Sequence, residues 1–393
     1  MGRSSSAKRV EVPTSRAERG PEDDGREADL PVGRARSALD SRAMESVGIL
    51  GLPQSGKTTL FEILVEGAGA HAAATTGRER IAVIVVPDER VDRLVALYKP
   101  KKITHARVQF VDTVAVQASA RASARGPDLF SGVRNCDALL AVVRDFESAA
   151  VPAGAGVDPA RELRDLESEL ILNDLAIAET RLEKLAKELR VGRKEGEREH
   201  ALLVRIKAAL EAERPLRVET FDKDEAKLLR GFQFLTLKPL LVVVNRGEGV
   251  THDLPSAGAH TLVVGLAAHL EREVVALPRE ERDAFRRELG IEQDGLSLII
   301  RACYRLLGLI SFFTVGPDEV RAWTLRQGER SVDAAGEIHT DLAKGFIRAE
   351  VVPCALLLEA GSEAAARERG GMRLEGRDYV VQDGDCLEIR FNK

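Results

Sequence analysis

The chain has 393 residues, 44% of them hydrophobic and 31% charged, so it is long enough for two or three domains with a substantial core. Its net charge of −5 excludes a protein that coats nucleic acid with its whole surface, although a local basic face would not show in the totals. The cysteines stand far apart without a CxxC pair, which argues against zinc and disulfide frameworks, and no apolar run is long enough to cross a bilayer.

Residues 1–43 are rich in Arg, Ser, Gly, Glu and Asp and carry almost no periodic apolar pattern, which is typical of disorder. Met44 stands directly before the first predicted strand and is therefore a candidate for the true start. The N-terminus lacks the apolar core of a signal peptide, and the unpaired cysteines suit a reducing compartment, so we expect a cytoplasmic protein.

Residues 51–59 read Gly-Leu-Pro-Gln-Ser-Gly-Lys-Thr-Thr and fit the phosphate-binding loop pattern G-x-x-x-x-G-K-[ST]. A strand-type run at 47–50 precedes the loop, and a helix-type run at 60–65 follows it. This arrangement aims backbone N–H groups and the positive end of a helix dipole at one point, where polyphosphate binds. The alternative without a function, a glycine-rich turn with a solvated lysine, is disfavoured because both the preceding strand and the following helix are predicted.

The loop residues have separate expected roles. Gly51 and Gly56 would supply backbone angles closed to other residues. Lys57 would neutralise the β- and γ-phosphates, and the Thr58 hydroxyl would ligate Mg²⁺. The loop residues predicted to contact the nucleotide are Gln54, Ser55, Gly56, Lys57, Thr58 and Thr59.

Later apolar runs rich in β-branched residues predict an α/β fold. The predicted strands are residues 81–86, 107–112, 138–143, 240–245 and 260–264. Such runs suit parallel strands buried on both faces, and ligands bind at the carboxyl ends of such strands. Lys57, Asp112 and Asn245 lie at or just past strand ends, so one site can collect them.

Between the third and fourth of these strands, residues 158–234 have helical periodicity. Helices are predicted at 162–189 and 197–212, with a break at 191–196 and a third helix beginning at Asp224. A basic cluster, Arg190, Arg193, Lys194 and Arg198, marks the tip. A solvated charged hairpin is favoured over a lever that contacts a large partner.

The tail predicts a β-grasp module, an α+β fold in which short strands surround one helix. Its predicted strands are residues 312–315, 319–325, 345–352, 379–381 and 386–391, and the predicted helix is 331–339. We expect His339 to cap or pack at the helix end, and Trp323 and Cys303 to belong to the core.

With these segments in place, the sequence resembles the YchF (Obg-like ATPase) family of translation-factor-class P-loop NTPases from about Val47 to Lys393. The likeness is strongest at 319–324, 335–341 and 344–351, which look like that family's C-terminal TGS domain, a ubiquitin-like β-grasp unit. The implied organisation is a disordered extension at 1–43, an OBG-type G domain at 44–157 and 235–309, an inserted helical, coiled-coil-like hairpin at 158–234, and a TGS domain at 310–393.

The resemblance also implies metal ligands. Thr58 keeps the hydroxyl of the family's loop, Thr76 falls at its switch threonine, and Asp112 matches the aspartate of its D-x-x-G motif, coupled to Mg²⁺ through water. The glycine of that motif is Ala115 here, and the glycine-rich switch that follows is replaced at 117–125. We assign no catalytic residue, and alanine at this point restricts a backbone that should approach the γ-phosphate.

The predicted base-reading motif is Asn245-Arg-Gly-Glu248, which resembles the family's N-x-x-E instead of the N-K-x-D of GTPases. The resemblance implies a preference for ATP, because the aspartate that accepts hydrogens from guanine is missing. Asn245 would hold the loop and contact the base N7, and Arg246 would line the base through its backbone. Glu248, in place of the aspartate, makes a GTPase the less favoured reading.

The resemblance thus implies a cytoplasmic, monomeric, Mg²⁺-dependent ATPase that associates with the ribosome, without membrane or DNA partners. The alternative is a nucleotide-responsive binding protein with slow or lost hydrolysis, motivated by Ala115. Basic tail residues would meet ribosomal RNA phosphates, or serve equally well as solubility charges. They are Arg321, Arg326, Lys344, Arg348 and Arg373.

Overall fold

The computed structural model describes residues 44–67, 72–76, 79–113, 130–148, 156–191, 196–247, 254–255, 261–289, 291 and 294–392. The predicted extension at 1–43, Ala115 with the replaced switch segment at 117–125, and Glu248 lie outside these ranges.

The described strands and helices have the following bounds. The strands are β1 (Ser46–Leu50), β2 (Ala72–Thr76), β3 (Glu79–Val85), β4 (Lys102–Thr104), β5 (Arg107–Thr113), β6 (Ala138–Asp145), β7 (Leu240–Arg246), β8 (Thr261–Leu266), β9 (Leu309–Thr314), β10 (Glu319–Arg326), β11 (Phe346–Pro353), β12 (Arg373–Glu375) and β13 (Asp385–Phe391). The helices are α1 (Lys57–Gly67), α2 (Glu89–Tyr98), α3 (Pro159–Arg190), α4 (Glu197–Glu211), α5 (Lys223–Leu229), α6 (Ala268–Ala276), α7 (Arg279–Glu288), α8 (Gly295–Leu306), α9 (Ser331–Ile338), α10 (Thr340–Lys344), α11 (Cys354–Ala360) and α12 (Glu363–Glu368).

The first sheet runs in the order β2-β3-β5-β1-β6-β7-β8 within the described residues. The five strands from β5 to β8 are parallel, and β1 and β6 are buried along their whole length, as their apolar runs predict. The expectation of a parallel strand at 81–86 is wrong, because β3 pairs antiparallel with both β2 and β5. Its burial alternates along the strand, which suits a position near the sheet edge with one covered face.

The inserted hairpin is α3 packed on α4, with α5 following. Asp158 caps α3 by accepting from the Arg161 N–H, and Pro159 occupies the first turn, where it costs no hydrogen bond. Both helices contribute apolar side chains such as Leu185 and Leu203 to a core of their own. In α3 the buried carboxylate of Asp174 accepts from the backbone N–H groups of Leu235 and Thr236, which fixes the helix to the segment entering β7.

The second sheet runs β12-β11-β13-β9-β10-β4. Its core includes Ala334 and Ala335 of α9 against strand residues such as Phe312, the arrangement predicted for a β-grasp module. The prediction of a strand at 379–381 is wrong, since only an isolated bridge joins Val380 to Arg330. The main chain there bonds to the residues before α9 and at its start instead of to a neighbouring strand.

Strand β4 comes from the nucleotide-loop part of the chain yet pairs parallel with β10. One apolar cluster accordingly runs from strand residues such as Val47 to tail residues such as Phe313 and Cys386. The predicted class is confirmed: a P-loop α/β domain with an inserted helical hairpin and a C-terminal α+β section. In the described part of the chain, no helix is both long and apolar enough to span a membrane.

Candidate nucleotide site

The phosphate loop, residues 51–56, connects β1 to α1 at the carboxyl end of the parallel strands. Gly56 has a φ of +94°, and a Cβ there would press on Nδ2 of Asn245. Gly51 is required by close approach, because an added Cβ would collide with the Val142 carbonyl oxygen and lie 2.7 Å from Ser55 Oγ. Both glycines are therefore needed for the loop's compact path, one through its backbone angle and one through space.

Lys57 begins α1 and points back over the loop. Its Nζ donates to the Gly51 carbonyl oxygen at 2.9 Å and lies 3.5 Å from that of Leu52. Partial burial lowers the pKa of Lys57, and the nearby negative charge of Asp112 acts in the opposite direction. Because the first turn of α1 carries no acidic residue, the positive end of the helix dipole is not neutralised from within the helix. The arrangement favours a polyanion.

Asn245 ends the buried part of β7 and is 6% exposed. Its Nδ2 donates to the Ser55 carbonyl oxygen at 3.1 Å, and its Oδ1 accepts from the Ala268 N–H at 3.2 Å. The side-chain amide of Asn245 therefore links the phosphate loop to the start of α6 at the carboxyl end of the parallel strands. The contact of Asn245 with a base N7 stays a prediction.

Asp112 lies in β5 and is 1% exposed. Its Oδ2 accepts from Arg80 Nε at 3.0 Å and also from Arg80 Nη2. Its Oδ1 is buried and finds no hydrogen-bond partner among the described residues. Sequence reasoning missed Arg80, whose position follows only from the antiparallel register that places it opposite Asp112.

The remaining predicted contacts are distributed around the loop. Gln54 and Thr58 are exposed, Thr59 and Arg246 are half-buried, and Ser55 is buried. The Gly247 N–H donates to the Asp145 carbonyl oxygen at 2.9 Å, so the start of the predicted base-reading segment is fixed to β6. These positions bring Lys57, Asp112 and Asn245 to one end of the sheet.

The residues present fit a magnesium ion. A hard cation of this kind accepts few protein oxygens and keeps several waters, and a hydroxyl with one carboxylate is a usual donor set in P-loop sites. Thr58, near the start of α1, would supply the hydroxyl, and Oδ1 of Asp112, which has no hydrogen-bond partner among the described residues, would supply the carboxylate oxygen. Thr76 ends β2, and its side chain lies outside the described part. In the described ranges, the proposed magnesium site included, no cluster of three or more His, Cys, Asp or Glu could hold a metal.

Other predicted residues have structural roles. His339 Nδ1 accepts from the Asp341 N–H at 3.2 Å and caps α10, which confirms the predicted capping role. Cys303 is fully buried, and none of the four cysteines forms a disulfide. Trp323 is half-buried, stacks on Phe312 and donates from its indole N–H to the Thr314 hydroxyl at 2.9 Å. Its packing therefore agrees with the predicted core role.

The fold and the glycine–lysine loop at the strand ends define a P-loop NTPase of α/β type. Residues 309–392 match the family described as YchF-GTPase_C, protein of unknown function (DUF933). The "Ribosome-binding ATPase YchF" of Bacillus subtilis (strain 168) is 38% identical over 88% of this chain and 99% of its own length. Its counterpart in Escherichia coli O157:H7 is 36% identical over 88% and 98%.

A solved structure agrees with these relatives. The Schizosaccharomyces pombe YchF GTPase superposes with a TM-score of 0.75 at 27% identity, covering 92% of this chain and all of that one. The chain belongs to the YchF family.

Proposed function

We propose that this protein is a Mg²⁺-dependent, ATP-preferring P-loop NTPase that works in association with the ribosome. The observation that carries the proposal is the fixed phosphate loop. Lys57 lies over the loop, and Asn245 fastens Ser55 to the start of α6. The curated bacterial relatives, which this chain matches over nearly their whole length, are named ribosome-binding ATPases.

In this proposal the loop N–H groups and Lys57 hold the triphosphate, and charge neutralisation does most of the chemistry. Mg²⁺, when bound, would withdraw negative charge from the phosphates, with Thr58, Asp112 and the predicted Thr76 as its protein ligands. Asn245, Arg246 and Glu248 form the proposed adenosine side of the site. The G, hairpin and TGS boundaries given above remain part of the same proposal.

A second candidate is a nucleotide-responsive binding protein that hydrolyses ATP slowly or not at all. It is favoured by Ala115, which replaces the glycine expected beside the γ-phosphate. A true GTPase is disfavoured by Glu248, although the solved Schizosaccharomyces pombe relative carries that name.

The test is equilibrium binding of ATP and GTP to the purified full chain, with and without Mg²⁺, while turnover is followed in the same samples. Tight ATP binding with turnover supports the ATPase, and tight binding without turnover supports the second candidate. Lys57→Ala should abolish binding, whereas Lys184→Ala, an exposed change on α3, should not. Equal affinity for ATP and GTP would overturn the base assignment, and no binding of either would overturn the proposal.

The proposed ribosome contact involves the basic tail residues and the hairpin. Arg348, Lys344 and Arg373 are exposed, while Arg321 stacks on the Trp323 ring at 3.6 Å. We do not include Arg326 in the candidate RNA-binding surface, because its side chain is only 12% exposed and forms a 2.5 Å ion pair with Glu45.

Co-sedimentation with ribosomes tests this contact. Charge reversal at Arg348 and Lys344 should weaken ribosome binding and make the remaining binding less dependent on salt concentration, because fewer phosphate contacts release fewer counterions. If both reversals leave the ribosome-bound fraction unchanged, these tail residues do not take part in the ribosome contact. A cytoplasmic location is part of the same proposal.

A further inference from the structure

Arg80 places a fixed positive charge on the carboxylate that the proposed function assigns to the metal. Both of its bonds go to Oδ2 of Asp112, from Nε at 3.0 Å and from Nη2. The second oxygen, Oδ1, remains buried and partnerless among the described residues. Arg80 therefore bonds to one oxygen of the Asp112 carboxylate and leaves the other oxygen without a hydrogen-bond partner among the described residues.

The position of Arg80 is itself restrained. It lies opposite Asp112 in the β3–β5 register, its guanidinium stacks over the Phe61 ring at 4.8 Å, and its Nη1 lies 3.7 Å from Glu62 of α1. Its side chain is 23% exposed, against 1% for Asp112. A pair this well shielded from water interacts more strongly than an exposed ion pair.

Arg80 changes the charge balance around the phosphates. Asp112 lies opposite Ile49 in the β1–β5 register, two residues before the phosphate loop begins at Gly51, so its negative charge also acts on whatever the loop binds. Without a cation beside it, this buried carboxylate would repel a triphosphate, and a metal ion would be needed to cancel the repulsion. The positive charge of Arg80 cancels part of this repulsion whether or not a metal ion is bound.

We propose that Arg80 is a positioning residue that neutralises Asp112 at Oδ2 and leaves Oδ1 for the metal, so that ATP binding to this protein depends only weakly on Mg²⁺. The inference rests on the proposed nucleotide function. It concerns how the affinity is divided between the metal and the protein, not whether hydrolysis occurs.

The experiment measures the dissociation constant of ATP by calorimetry, in excess Mg²⁺ and in chelator, and compares the ratio of the two values between variants. The loss of an arginine's charge-assisted hydrogen bonds leaves the buried carboxylate without its compensating cation, so the dependence of ATP binding on an added cation should change about tenfold or more. Arg80→Gln should therefore raise the chelator-to-Mg²⁺ ratio at least about tenfold. Arg80→Lys, which keeps the charge, should restore most of the wild-type ratio.

Two controls separate this role from general destabilisation. Arg272→Gln removes a cation that also faces Glu62, at 4.0 Å, but does not contact Asp112, and should leave the ratio unchanged. In an Asp112→Asn background, Arg80→Gln should no longer alter the ratio, because the carboxylate that it neutralises is absent. This second comparison remains informative if the single Arg80 variant folds poorly.

The outcomes are distinguishable. A ratio that is unchanged or lowered in Arg80→Gln, with ATP still bound, overturns the inference and leaves the proposed function intact. The same effect of Arg80→Gln with and without the Asp112 carboxylate also overturns it. A wild-type protein that binds no ATP in either condition overturns the proposed function, and the inference with it.

Discussion

Replacing Asn245 by alanine tests how the phosphate loop is held. The change removes two hydrogen bonds, one to the Ser55 carbonyl oxygen and one from the Ala268 N–H. It also removes the amide against which Gly56 packs. We expect the loop to remain connected but to spend less time in its binding-competent form.

The magnitude follows from the bonds that are lost. A buried intramolecular hydrogen bond contributes about 1 kcal/mol, so the two together contribute about 2 kcal/mol. If this energy is what keeps the loop in place, the fraction of competent molecules, and with it the apparent affinity, falls by up to about 30-fold.

The assay titrates the variant with ATP and, separately, with inorganic tripolyphosphate, which has no base. Because the predicted effect acts through Ser55, both ligands should lose affinity by a similar factor. Asn135→Ala, an exposed change outside the site, serves as the matched control and should alter neither. Unchanged tripolyphosphate binding together with weakened ATP binding would refute the loop argument and place the role of Asn245 at the base.

Three further changes test the loop, the hairpin and the lysine. Gly56→Ala forces a side chain onto a positive φ, costing about 1–2 kcal/mol, and should weaken calorimetric ATP binding about tenfold; unaltered affinity would contradict the geometry. Asp174→Ala leaves two backbone N–H groups without their acceptor and should lower the free energy of unfolding, measured in urea, by about 2–4 kcal/mol. The control Asp165→Ala, an exposed change on the same helix, should alter this free energy by less than about 0.5 kcal/mol. Equal effects of the two changes would contradict the role of Asp174. Because burial lowers the pKa of Lys57, its charge is lost at a lower pH than the charge of an ordinary lysine. ATP affinity should therefore fall with rising pH before an ordinary lysine would titrate, and an affinity that stays flat until ordinary lysines lose their charge would be inconsistent.

The features predicted correctly from sequence depend on neighbours within a few residues along the chain. Glycine spacing and flanking runs placed the phosphate loop, and the buried parallel strands followed from continuous apolar runs such as those of β1 and β6. The helical periodicity of residues 162–189 gave α3 almost to its ends. His339 was placed correctly as a cap because capping is decided by the adjacent turn.

The features that were missed depend on pairing between distant segments. An apolar run predicts a strand but not its direction, so the antiparallel β3, and with it the contact of Arg80 with Asp112, was not predictable. The apolar residues at 379–381 look like a strand, yet no neighbouring strand is available to them beyond one bridge. Strand β4 has only three residues, two of them lysine and threonine, and forms because β10 supplies the partner.

The same long-range pairing decides what the C-terminal section, residues 309–392, does for the site. Arg80 in β3 and Asp112 in β5 are separated along the chain by α2 and β4, and both of these elements are fastened to the C-terminal section. Strand β4 joins its sheet through β10, Arg90 of α2 forms a 2.7 Å ion pair with Asp383, and the Tyr98 hydroxyl at the end of α2 donates to Glu363 at 3.0 Å. The chain between the two members of the ion pair is therefore held at several points by the tail. Since the alignment of Arg80 with Asp112 requires β3 and β5 to keep their register, the C-terminal section acts as part of the scaffold of the candidate nucleotide site.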